Sequence, residues 1–186
     1  NIRVDLIFGD AITDLVAEGV DIAFRLGELR DLSLMAKKVS EAAQVVWASQ
    51  SYLDRRATPQ HPSDLTEQGA VVFRHNRHTV WELSKGNETI EARVDGPFRA
   101  SSGKTLLEAA AGGLGLMLAP AWLACECTGE IRLVRVLADW QGPGLSIHAV
   151  RSSGKLRGKA TLFIDHTEPA ITAASGLTRL EVARAT

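Results

Sequence analysis

The sequence predicts an α/β fold, because apolar runs typical of buried strands alternate with segments of helical periodicity. The clearest case opens the chain, where an apolar run, a helical segment and a second apolar run follow one another. This order predicts a βαβ unit, whose two strands are parallel. Parallel sheets bind ligands at the carboxyl ends of their strands, so polar residues there are the first candidates for a site.

The two strands of this unit are predicted at 4–8 and 20–26. Between them the apolar residues fit one face of a helix, with Asp10 as its N-cap and Gly19 ending it in the left-handed conformation. Asp10 follows the first strand and Arg25 lies near the end of the second. We therefore expect both side chains at the ligand-binding edge of the sheet.

The chain then crosses from a first lobe to a second. Extended segments are predicted at 34–39 and 44–48, and a short helix begins at Ser51 and is ended by Pro59 and Pro62. Further strands are predicted at 70–73, 80–83, 89–94, 98–100, 114–118, 131–136 and 145–150.

Local signals place the turns and the remaining helices. Lys85-Gly86-Asn87 indicates a hairpin turn. A helix is predicted at 104–111, with Gly112-Gly113 as its stop. Pro120 fits the first turn of a helix that runs to Gly129. The last helix, at 158 to about 170, is amphipathic.

The composition is that of an ordinary globular protein: 186 residues, 45% hydrophobic and 23% charged. The formal net charge of −1 provides no electrostatic footprint for nucleic acid. The longest apolar stretch, 114–125, contains Pro120 and is too short to span a bilayer. Cys125 and Cys127 would point apart on a helix, so no disulfide is expected, which fits a reducing compartment.

The turn at Ser101–Thr105 is a candidate anion site. It opens the predicted helix 104–111, and free N–H groups at a helix start favour an anion. Its candidate ligand-binding side chains are those of Ser101, Ser102, Lys104 and Thr105. A plain N-cap is the alternative, either Ser102 alone or Thr105 with Glu108 as a capping box. The two interpretations are compatible.

Asp10 and Arg25 form a second candidate site. The guanidinium of Arg25 could bind the carboxylate of an effector in bidentate fashion. Alternatively, Arg25 pairs with Asp10 or Asp21 and holds the lobe together. The sequence does not choose between these alternatives.

Catalytic and metal-binding patterns are not found. Ser101–Thr105 resembles part of a P-loop, but the glycine that this loop needs five residues before Gly103 is Phe98. Cys125 and Cys127 have the wrong spacing for zinc. No serine lies in a G-x-S-x-G elbow. We therefore expect no metal, no cofactor and no enzymatic activity.

Several stretches resemble the effector-binding domain of LysR-type transcriptional regulators. Glu18-Gly19 is followed by Asp-Ile-Ala-Phe-Arg-x-Gly at 21–27, which is similar to the family's pattern. Further stretches that resemble the family, in the same order, are 48–53, 59–65, 109–120, 133–140 and 147–150. The resemblance covers roughly residues 1 to 170, and the ordered set is more specific than any single stretch.

The resemblance implies a bilobal, periplasmic-binding-protein-like fold (type II), with two Rossmann-like α/β subdomains joined by two crossover strands. The effector would bind in the cleft between the lobes, and the resemblance places the Ser101–Thr105 turn there. The expected segments are a first lobe of 1–40 plus 148–172, a second lobe of 41–147, a tail at 173–186, and crossovers near 37–45 and 144–151.

The resemblance also implies function and partners. We expect a small-molecule effector, for which an anionic group is one candidate, and a homodimer or homotetramer in the bacterial cytoplasm. The expected contact surface combines the 10–19 helix with the helix beginning at Pro120. DNA would be bound only through an N-terminal winged helix-turn-helix that this chain lacks, and no membrane is involved.

One departure from the family concerns the start of the domain. A family strand and helix usually precede the position of Asn1, and the turn between them supplies one wall of the effector site. We expect the pocket of this chain to be incomplete there. The alternative functions are an extracytoplasmic solute-binding protein of the same fold and, with less support, an enzyme on this scaffold.

Overall fold

The computed structural model describes residues 4–9, 14–29, 34–74, 79–124, 133–151 and 157–175. Strands and helices are mixed, as an α/β fold requires. The strands are β1 (Ala23–Leu26), β2 (Met35–Ser49), β3 (Gly69–Phe73), β4 (Val80–Lys85), β5 (Glu88–Arg93), β6 (Asp95–Ala100), β7 (Met117–Pro120), β8 (Leu133–Val136) and β9 (Gly142–Arg151). The α-helices are α1 (Gln50–Leu53), α2 (Gly103–Ala111), α3 (Ala121–Ala124) and α4 (Arg157–Ser175), and a 3-10 helix spans Pro62–Glu67.

The chain divides into two compact units. The first comprises the described residues up to Ala42 and from Leu145 to the end of α4, and the second comprises Ala43–Gly144. Strands β2 and β9 both continue from one unit into the other. Among the described residues, no helix is both long enough and apolar enough to cross a membrane.

In the first unit the strand order is β1-β9-β2. β1 is antiparallel to β9, with Ala23 opposite Val150 and Leu26 opposite Ile147. Helix α4 packs on this sheet through Ile164, which joins a small core with Ile147 and neighbouring apolar side chains. Burial of these apolar side chains stabilises the first unit, because apolar area removed from water contributes about 25 cal/mol per Å².

In the second unit the end of β2 is buried on both faces. Val46 and Ala48 enter one apolar cluster, while Val45 and Trp47 enter another, as the alternation of a strand requires. Here β2 pairs antiparallel with both β7 and β8. β3 runs parallel to β6, and Ala70 of β3 forms a parallel bridge with Leu116. Helix α2 packs in the second cluster through Leu106 and its neighbours.

Gly96 in β6 and Gly115, two residues before β7, allow close approach of the chain to β3. A Cβ at Gly96 would lie 1.8 Å from the carbonyl oxygen of Ala70, and one at Gly115 would lie 2.7 Å from that of Gly69. Both obstacles are backbone atoms, which a rotamer change cannot move away. The parallel arrangement around β3 therefore requires glycine at both positions.

The predicted βαβ unit is wrong in its first strand and its parallel pairing, whereas its second strand is confirmed as β1. Residues 4–9 form no strand, and Leu6, Ile7 and Phe8 are exposed. A strand needs a neighbour for its backbone hydrogen bonds, and no described strand pairs with this segment. β1 pairs with β9 instead, in the antiparallel direction.

The helix predicted between those two strands is replaced, in its described part, by hydrogen-bonded turns. Asp14 Oδ1 accepts hydrogen bonds from the backbone N–H groups of Val16 at 2.9 Å and Ala17 at 3.2 Å. Gly19 has a φ of +66°, so its predicted left-handed conformation is confirmed, although it ends a turn and not a helix. Asp10 and the start of this segment lie outside the described residues.

Two other expectations change in detail. The extended segments at 34–39 and 44–48 belong to a single strand, β2. Pro120 ends β7 and immediately precedes α3 rather than lying in its first turn. The rest of the helix predicted to reach Gly129, with both cysteines, lies outside the described residues.

Candidate functional site

The turn at Ser101–Thr105 opens α2, as predicted. Ser102 is the N-cap, in an extended conformation, and its Oγ accepts a hydrogen bond from the Thr105 N–H at 3.5 Å. Ser102, and not Thr105, therefore caps the helix. Gly103 and Lys104 occupy the first helical positions, whose N–H groups have no acceptor within a helix. Ser101, Lys104 and Thr105 are exposed.

The sheet and the core fix the position of this turn. Ser101 directly follows the end of β6, and the Arg74 N–H after β3 donates to the Ala100 carbonyl at 2.8 Å. An atom at the Cβ position of Gly103 would lie 3.6 Å from the Phe73 ring at the end of β3. The start of α2 therefore lies at the carboxyl ends of two parallel strands, where α/β sheets place ligands.

A cavity of about 200 Å³ extends beside the first turn of α2. Leu106, which directly follows the capped turn in α2, and Phe73 both line it, whereas Ser101–Thr105 are not among its lining residues. Its other lining residues are Gln44, Val71, Val72, Thr79, Val80, Trp81, Glu82, Met117, Leu118 and Pro143. The lining residues are mainly apolar or aromatic, but polar and apolar atoms contribute about equally to the surface that faces the cavity.

One hydrogen bond joins two lining residues of the cavity, and a second contact lies outside the lining. Gln44 Nε2 donates to the Pro143 carbonyl at 3.0 Å. Ser84, at the end of the β4–β5 hairpin, exchanges backbone hydrogen bonds of 2.8 and 3.0 Å with Gln141. Close by, Lys85 forms an ion pair of 2.8 Å with Asp139, and that hydrogen bond raises the pKa of the lysine.

Arg25 lies on β1 in the first unit, directly opposite His148 of β9. Arg25 is half-buried, and His148 Nδ1 is buried with no hydrogen-bond partner in the described part of the chain. Asp10 lies outside the described residues. The structure therefore brings Ser101, Ser102, Lys104 and Thr105 together, whereas a site shared with Asp10 and Arg25 stays a prediction.

The described residues contain no group of three or more His, Cys, Asp or Glu side chains able to hold a metal ion. His61 has a structural role instead. Its ring nitrogen is hydrogen-bonded to Ser63 Oγ at the start of the 3-10 helix, and its ring packs edge-on against Trp140 with centroids 5.5 Å apart. His75 and His78 lie outside the described residues.

Most of the cavity could not be predicted from the sequence. Only the aromatic character of Trp81 points to a pocket, and nothing local marks Gln44, Thr79 or Glu82. These residues come from separate strands and loops, so their convergence depends on the tertiary fold. The predicted turn was found because helix caps leave a local signal.

This chain is similar to a family of known proteins. The family model described as "LysR substrate binding domain" matches residues 1–170. An HTH-type transcriptional regulator of Xanthomonas campestris is 32% identical over 170 residues, covering 88% of this chain and 49% of the relative. The HTH-type transcriptional regulator DmlR of Escherichia coli is 27% identical over 154 residues, covering 80% and 50%. The chain thus spans about half the length of these curated relatives.

Solved structures show the same similarity. The full-length Vibrio cholerae virulence activator AphB superimposes with a TM-score of 0.65 at 31% identity, over 82% of this chain and 53% of AphB. CrgA, a LysR-type transcriptional regulator of Neisseria meningitidis, gives a TM-score of 0.69 at 26% identity, over 84% and 54%.

Proposed function

The chain belongs to the family of LysR substrate-binding domains, and we propose that it is the effector-binding part of a longer DNA-binding regulator. The family is one of transcriptional-regulator domains and not of enzymes. The relatives that match are regulators, which favours this function over a solute-binding protein of the same fold. A match over residues 1–170 supports the effector-binding role of the chain itself.

The effector site we propose is the start of α2 together with the adjoining cavity. The observation that carries it is the position of Ser101–Thr105 at the carboxyl ends of β3 and β6, beside a cavity of about 200 Å³. The first N–H groups of α2, the hydroxyls of Ser101, Ser102 and Thr105, and the ammonium of Lys104 favour an anionic group on the effector. Arg25 and Asp10 are further proposed contacts.

A ligand panel tests this site. Small carboxylates, benzoate among them, are screened by thermal shift, since a ligand at a hundredfold excess over its Kd stabilises the folded state by about 2.7 kcal/mol. The best ligand is then titrated calorimetrically into Ser102→Ala and Thr105→Val. Loss of a hydrogen bond to a charged group costs about 1.5–3 kcal/mol, and we expect affinity to fall about tenfold or more.

Ser49→Ala is the matched control. Ser49 caps α1 in the same unit, accepts from the Tyr52 N–H at 3.3 Å and does not line the cavity. It should lose stability and keep its affinity. If Ser102→Ala also melts earlier but binds as tightly as the parent chain, Ser102 is only a cap and the proposed contact is wrong.

The proposed regulation works through assembly. We propose that the chain self-associates as a homodimer or homotetramer in the cytoplasm, and that DNA contact belongs to an N-terminal winged helix-turn-helix of the longer protein. The effector then acts by binding two subunit arrangements with different affinities. Sedimentation should show species heavier than a monomer at high micromolar concentration, and a pure monomer there would contradict the proposal.

A further inference from the structure

The cavity beside α2 carries a charge that points to the chemistry of its occupant. Among the described residues that line it, Glu82 is the charged one and the others are neutral. We propose that the cavity binds a small ring compound with a protonated amine, the ring against the apolar wall and the ammonium at the Glu82 carboxylate. This inference rests on the proposed function in taking the cavity as part of the effector site.

The volume and walls fit a single ring. An apolar cavity of about 150 Å³ in another protein holds benzene, so about 200 Å³ accommodates a six-membered ring with a short substituent. Phe73, Trp81, Leu106 and Met117 supply aromatic and aliphatic wall. Such side chains bind a ring by burial and by edge or offset stacking.

Two glutamate carboxylates lie at or near the cavity, and neither is neutralised by an ion pair within the described residues. Glu82 of β4 lies directly opposite Glu91 of β5 in the hairpin, and both side chains are exposed. Within the described residues, neither forms an ion pair. Like charges directly opposite across a strand pair are destabilising. The strand pair also has two cations: Lys85 forms its ion pair with Asp139, and Arg93, opposite Val80, forms no ion pair with either glutamate among the described residues.

This arrangement discriminates between ligand charges. An ammonium at Glu82 gains a charge-assisted hydrogen bond and offsets the repulsion from Glu91. A carboxylate at the same place would add a third negative charge. An effector with an amine for Glu82 and a carboxylate for the α2 turn would satisfy both proposed contacts.

Three probes of the same shape test the inference: benzylamine, benzyl alcohol and benzoate, titrated calorimetrically into the parent chain, Glu82→Gln and Glu91→Gln. Glu91→Gln is the matched control, since it removes the same charge from the facing strand without touching the cavity lining. We expect benzylamine to bind more tightly than benzyl alcohol. Glu82→Gln should weaken benzylamine about tenfold or more and leave benzyl alcohol unchanged, and Glu91→Gln should weaken benzylamine far less.

Several results would overturn the inference: no binding of benzylamine, equal losses in the two variants, or amide NMR shifts that miss residues 79–82. Its failure is distinguishable from failure of the proposed function. If benzoate binds and depends on Ser102 while benzylamine does not enter the cavity, the amine inference is wrong and the effector site at α2 stands. If the carboxylate panel and benzylamine all fail to bind, both proposals fall.

Discussion

Replacing Gly113 with alanine tests how the end of α2 is held. Gly113 has a φ of +81°, in the left-handed region that favours glycine. An added Cβ would lie 2.8 Å from Ser51 Oγ and 2.9 Å from Arg55 Nη2. Arg55 Nη2 donates to the Gly113 carbonyl at 2.7 Å. The substitution therefore strains the backbone and displaces the guanidinium that binds the end of the helix.

Gly86 provides a matched control. It has a φ of +59° at the tip of the β4–β5 hairpin, and an added Cβ would meet nothing within 4 Å. Gly86→Ala should cost only the left-handed conformation, about 1–2 kcal/mol. Gly113→Ala should cost the same and also disturb a hydrogen bond that contributes about 0.5–1.5 kcal/mol, for a total loss of about 1.5–3.5 kcal/mol.

Urea unfolding measured by circular dichroism provides the comparison. The free energies of unfolding of the parent chain and the two variants are taken from midpoints and slopes at one pH. The expected result is a loss for Gly113→Ala that exceeds the loss for Gly86→Ala by about 1 kcal/mol. Equal losses would refute the reasoning, because the contacts with Ser51 and Arg55 would then contribute nothing.

Two further predictions concern packing and acid stability. Leu106→Ala should destabilise the fold by about 2–5 kcal/mol in the same urea assay, because Leu106 is fully buried. The substitution should also widen the cavity enough to accept a bulkier ring. A loss of unfolding free energy below about 1 kcal/mol would contradict this prediction. Asp64 accepts backbone hydrogen bonds from His61 and Gln60, which lower its pKa from the ordinary 3.8, so its contribution to stability is present above that value and is lost as the pH falls through its folded pKa. Asp64→Asn should therefore lose less stability than the parent chain between pH 6 and pH 3, and parallel curves would show that Asp64 contributes nothing.

The sequence predicted those elements whose signals are local. Ser102 before an apolar stripe and Gly113 after it marked both ends of α2, and Gly86-Asn87 marked the hairpin. In each case the residue that allows the turn or cap lies within two residues of the end of the element. These signals do not depend on where the element packs.

Pairing between distant strands could not be predicted in this way. The apolar run at 4–8 has the composition of a buried strand, yet it lies exposed, because composition does not specify a partner. β1 pairs with β9, a partner more than a hundred residues along the chain. The cavity could not be predicted for the same reason, since Gln44, Trp81 and Leu106 meet only after the second unit has formed.

The central claim is that the start of α2 and the adjoining cavity bind the effector. The most direct measurement is a backbone-amide NMR titration of the chain with the strongest ligand from the thermal-shift panel. We expect the largest amide chemical-shift changes at residues 101–106 and 79–82, and small changes at the Ser49 cap. Large shifts confined to residues outside the second unit's cavity and the α2 turn would contradict it.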